Sequence, residues 1–143
     1  MSKDADIINA LKTRLQTILV TGGYQTNIGA KVEIWRDTDL GAADLPMIMI
    51  ADTETAHDNS AIIGMTRNIM TVNVDAVATG TVATARSMRA DLKKCLYGYE
   101  TIGGLANFMV VLKSSVGTQH HESRVAAAHL ELEIEYDTAK DAI

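Results

Sequence analysis

The chain has 143 residues, a formal net charge of −5 and one cysteine, Cys95. That length suits one domain with a core of its own. One cysteine excludes an intrachain disulfide and a cysteine-based zinc site, and an acidic chain with no basic tract argues against a protein that grips phosphate backbones.

Apolar residues make up an ordinary 47%, yet there are only one Trp, four Tyr and one Phe. The core must therefore come from Ile, Leu, Val, Met and Ala, which leaves few aromatic platforms for stacking bases or sugars. No apolar run approaches the roughly 18 to 20 residues that span a bilayer. Lys3, Asp4 and Asp6 interrupt the start, so no signal peptide is expected there. The single cysteine fits a reducing cytoplasm.

Residues 4 to 20, DADIINALKTRLQTILV, predict a helix: Ile7, Ile8, Leu11, Leu15, Ile18 and Leu19 form one apolar stripe at helical spacing. The glycines of TGG, residues 21 to 23, stop it. KVEIWRD, residues 31 to 37, alternates and is rich in β formers, which predicts a strand. A polar linker leads to Pro46 and a second strand, PMIMIAD, with the near-continuous apolar run of a strand covered on both faces. TETAHDNSAIIG, residues 53 to 64, has no period and many turn formers. It predicts a long mobile loop over 53–66 or, as the alternative, a floppy hairpin tip.

RNIMTVNVDAVA, residues 67 to 78, resumes alternation. Thr81 makes a plausible N-cap for a helix reaching Tyr99, with Val82, Ala85, Met88, Leu92, Leu96 and Tyr99 as its apolar stripe. ANFMVVLKS, residues 106 to 114, predicts a strand, and 114–124 a second mobile loop. Residues 125 to 137 form the last strand, ahead of a frayed tail. The sum is a single α+β domain: one mostly antiparallel sheet of about five strands packed against two helices.

The candidate chemistry starts with HLELEIEYD, residues 129 to 137, which lines up Glu131, Glu133, Glu135 and Asp137 on one side of a strand. Neighbours in such a row stand about 6.5 to 7 Å apart, too far to share a proton. They read as a solvated or contact face that needs basic neighbours or open water. Arg86, Arg89, Lys93 and Lys94, off the apolar stripe of the second helix, are one source of such charge, from the same or another subunit.

His120, His121 and Glu122 form another cluster. Adjacent histidines on an extended segment point to opposite sides, and HExxH spacing is absent, so a polar turn is expected. Cys95 lies beside the helical stripe and is expected to be buried. There is no P-loop, no GxGxxG and no GxSxG serine. No catalytic residue, cofactor or metal site is expected. Candidate contact residues are Trp35, Arg36 and Asp37 at the end of the first strand and His57 and Asp58 in the long loop. Arg67, the basic trio Arg86, Arg89 and Lys93, and the acidic trio Glu131, Glu133 and Glu135 complete the set.

From about residue 5 to 137 the layout resembles the tail terminator, or tail completion, proteins of long-tailed bacteriophages. The resemblance rests on IINALKTRLQTIL, then GYQTNIGAKVEIWRD, then a linker running into DLPMIMI. A polar strand with a helix behind it and the closing LELEIEY complete the pattern. It implies a non-enzymatic virion protein, made in the host cytoplasm and placed at the head-proximal end of the tail. Such proteins form a homo-hexameric ring that ends tube polymerisation and docks the head. The implied partners are further copies of the chain, the tail tube protein and the head–tail connector. DNA passes through without specific binding, and no membrane is involved. The alternatives are a head–tail connector or neck protein and, more distantly, a small metal-dependent hydrolase or ligand-binding domain using His120, His121 and the Glu131 to Glu135 row.

Overall fold

In a computed structural model, which describes residues 2–35, 44–62, 64–120 and 124–139, the first apolar stripe winds into helix α1 (Lys3–Leu15). Ile7, Ile8, Leu11 and Leu15 face the core, with Asp4 and Asp6 in the first turn, where the helix dipole favours acids. The helix ends before the expected residue 20. Gly29 presses against that end, and its N–H donates to Ile18 O at 2.9 Å. The chain turns through tighter bonds, from Thr17 N to Arg14 O and from Ile18 N to Leu15 O, yet Ile18 stays fully buried.

The strands are β1 (Val32–Ile34), β2 (Met47–Ile62), β3 (Met65–Thr79), β4 (Phe108–His120) and β5 (Arg124–Ala139). They form one sheet in the order β1-β2-β3-β5-β4, with β1 parallel to β2 and every other pair antiparallel. Helix α2 (Val82–Leu96) lies between β3 and β4 in the chain. Thr84 Oγ1 accepts from the N–H of Thr81, at the N-cap. Both helices pack on one face of the sheet, α1 against β1 and β2, α2 mainly against β4 and β5. The expected α+β architecture is the observed one.

Alternation decides which sheet face is covered. On the helix side, Met70, Val72, Val74 and Ala76 of β3 and Leu130, Leu132, Ile134 and Tyr136 of β5 are buried. Ala85, Met88, Leu92 and Cys95 of α2 complete that core, so Cys95 is buried as its sequence setting suggested. Among the described residues the other face carries no helix. Accordingly β2 is covered on both sides, as expected, only at its start, where Met47 and Ile48 are both fully buried; farther on Ile50 is buried, whereas Met49 is only partly so.

Of the two expected loops, the first follows its hairpin alternative, with far longer strands than a tip, and the second is also part of a hairpin. Residues 53–62 continue β2, and 65–66 open β3, with His57 opposite Asn68 and Asp58 opposite Arg67. Register shifts between Asp52 and Glu54 and between Asp58 and Ile62 break the two-residue period. Thr53, Glu54, Ala56, His57 and Asp58 are exposed, so burial imposes no apolar pattern on this stretch. Likewise 114–120 continues β4 against β5, past a shift between Val111 and Lys113. Its ladder with the Ala-rich start of β5 holds it, with Val116 the one apolar side chain there that packs against the core. Residues 121–123, within the second expected loop, and the predicted strand end at Arg36 and Asp37 lie outside the described residues.

Candidate assembly surfaces

The acidic row runs down the open face of the sheet. Glu131 lies between Asn73 of β3 and Lys113 of β4, and Glu133 between Thr71 and Val110. Both ends of the face carry side-chain contacts within the chain. At one end Arg67 Nε lies 3.7 Å from Glu135 and 3.5 Å from Asp137. Asn107 Nδ2 donates to the same two carboxylates at 3.2 and 3.1 Å. At the other end His129 Nδ1 and Asp75 Oδ1 are 2.6 Å apart. Glu131 and Glu133 remain between them, partly exposed and with no ion pair within 4 Å among the described residues.

The basic residues of α2 sit in the opposite layer. Ala85, Met88, Leu92 and Cys95 hold one side of the helix against the sheet, which leaves Arg86 exposed and Arg89 and Lys93 partly so. The sheet itself separates them from Glu131 and Glu133. Neutralisation by the α2 bases of the same subunit is thereby excluded, and only a second subunit can bring those two groups together.

The outer sheet edges carry the remaining candidates. At the β1 edge Trp35 is 57% exposed, and its Nε1 donates to Asp52 Oδ1 at 2.7 Å. Next to it Asp4, Ala5, Ile8, Ile34 and Asp52 line a shallow groove of about 230 Å³. His57 lies farther along β2, its Nδ1 2.6 Å from Asn68 Oδ1. Asn68 is buried and donates to Thr66 O, Tyr136 O and Thr138 Oγ1, so it is a satisfied structural group. Asp58 is exposed on the same strand.

Sequence reasoning missed the β4 edge. Phe108, Val110, Val111 and Leu112 are all about 40 to 50% exposed, and the neighbouring Tyr97 is 74% exposed. The available signal was the run FMVVL, which does not alternate and so cannot keep every side chain in a one-sided core. It also missed Asp91, a charged residue within the buried face of α2.

The histidine alternative is not assembled by this fold. His120 pairs in register with Arg124, seven residues along β5 from Glu131, a separation of about 23 Å at strand rise. His121 lies outside the described residues. Among the described residues no group of three or more His, Cys, Asp or Glu is placed to hold a metal ion, and no helix is long and apolar enough to cross a membrane.

One buried phenol has a pH consequence. Tyr136 is pushed above the usual tyrosine value of 10, first by burial and then by the charges of Asp4 and Asp52. The folded chain keeps this proton after the unfolded chain has released its own. Tyr136 therefore contributes no pH dependence below about pH 10, and stability falls as pH rises from there through the folded value. Tyr136→Phe is expected to flatten that fall in urea unfolding at about pH 9 to 11. A residual slope belongs to Tyr24, also raised, by burial and its hydrogen bond to Cys95. An unchanged slope in the variant overturns the assignment.

Comparison with protein-family models matches none of them, and comparison with curated proteins returns no significant relative.

Proposed function

We propose that this chain is a tail terminator: a structural subunit that closes as a ring on the finished phage tail tube and presents the docking surface for the head. The sequence resemblance suggests the role, and one structural observation carries it. Among the described residues the sheet has an open acidic face that carries no helix and, at Glu131 and Glu133, no ion pair within 4 Å. A passage for DNA needs such a surface, because carboxylates repel phosphate and leave no counterions to be released on contact. In this reading the open face turns to the bore and the two helices face outward.

The role is mechanical, so no chemistry is required of any residue. The tube end supplies one binding surface and the head–tail connector the other. The test is electron microscopy of tails assembled with and without the protein. Tubes of unregulated length in its absence, restored to one length by adding it, are the expected result. Tails of normal length that fail only at head joining indicate a connector instead. Normal, head-competent tails overturn the proposal.

A further inference from the structure

The two outer edges of the sheet match each other. One is the exposed first half of β4. The other is β2 beyond Ile50, where the pairing with β1 ends and no described strand continues it. A long unpaired edge with apolar side chains is a template for another strand. We propose that copies of this chain join head to tail, the β4 edge of one extending the sheet along the β2 edge of the next. The inference rests on the ring reading and specifies its joint.

Charge agrees with this on both sides of the sheet. On the open face β4 offers Lys113 and β2 offers Glu54, each exposed. On the helix side β4 is flanked by Lys93 and Tyr97, whereas β2 is flanked by Asp4 and Asp52 around the groove beside Trp35. The basic edge thus meets the acidic one, with an exposed aromatic on each. A β4-to-β4 pair would instead set basic edge against basic edge.

Strand direction agrees as well. In the order β2-β3-β5-β4 every neighbour is antiparallel, so β2 and β4 run in opposite directions. Copies related by rotation about an axis along the strands then bring β4 antiparallel to the next β2. The ladder continues without a break in alternation, and the joint is heterologous, the kind that closes into rings. It also keeps every open acidic face on the same side of the assembly.

With Lys113 opposite Glu54, the next open-face pair is Val110 opposite Ala56. The test uses the full chain carrying Ala56→Cys or Val110→Cys and a short bis-maleimide. Cys95 is fully buried and does not compete. Neither variant alone is expected to cross-link, a mixture of the two should give a dimer, and a chain carrying both should give a ladder of higher oligomers. Adding Lys113→Glu should lower the mixed yield on the order of tenfold, and Glu54→Lys on the partner should restore it. Dimers from Val110→Cys alone mean a twofold β4 joint and overturn the inference, as does a product that stays monomeric. Far-ultraviolet circular dichroism confirms that each variant folds. Because the readout needs no tails, a failed joint with correctly terminated tails leaves the function standing, and an intact joint with unaffected tails removes only the function.

Discussion

Gly29→Ala is expected to lower stability by about 3 kcal/mol, or roughly 10 °C in Tm for a domain of this size. A Cβ at this position would lie 2.5 Å from Leu15 O and 2.8 Å from both Ile18 N and Ile18 O. All three are backbone atoms, so no rotamer change relieves the overlap. Either α1 moves from its seat on the sheet or the 28–30 turn does, and the Gly29 N to Ile18 O bond is then strained or lost. Overpacking accounts for about 1 to 3 kcal/mol and the hydrogen bond for about 1 more. Gly117→Ala is the control, because a Cβ there meets nothing within 4 Å. A thermal melt that moves equally little for both variants refutes the packing argument.

The parts of the fold legible in the sequence are those where burial imposes a period. Leu130, Leu132, Ile134 and Tyr136 alternate because one face of β5 packs under α2, and the same reason makes β3 readable. The hairpin extensions were not legible. Strand pairing holds them through backbone bonds, and backbone bonds leave no mark on side-chain pattern. Bulges at Asp52/Glu54 and Val111/Lys113 shift the phase in addition.

The candidate surfaces divide in the same way. The acidic row was visible as a row, but not that Arg67 pairs with its end and Asn107 donates hydrogen bonds there, since those contacts join residues about 28 to 70 positions apart and depend on register. Nor could composition place Arg86 and Arg89 behind the sheet and not beside the acids. That separation turns a local charge pattern into a statement about assembly. A two-layer subunit with Glu131 and Glu133 on one face of the sheet and Arg86 and Arg89 in the helical layer can bring these groups together only through other chains.

Asp91→Ala is expected to cost about 3 kcal/mol, again near 10 °C in Tm. Asp91 is 1% exposed on the buried face of α2 and accepts three hydrogen bonds. Gln25 N donates to Oδ1 at 3.0 Å, and Thr26 N and Thr26 Oγ1 donate to Oδ2 at 2.8 and 2.6 Å. Each donor left unpaired costs about 1 to 3 kcal/mol. Removing a buried carboxylate also removes its own desolvation cost, so the net lies below the sum. Asp91→Asn keeps one acceptor oxygen and turns an NH₂ toward a donor, so it should fall between wild type and alanine. The anchored segment is the same one that Gly29 seats, and it leads directly into β1 and the Trp35 edge. The two substitutions should therefore couple: once Gly29→Ala has displaced the segment, Asp91→Ala has less left to remove, by about 1 kcal/mol or more. Urea unfolding of both single variants and the double variant measures that difference. Strict additivity would mean that Gly29 and Asp91 hold the chain independently, and that the β1 edge is not positioned by a shared anchor.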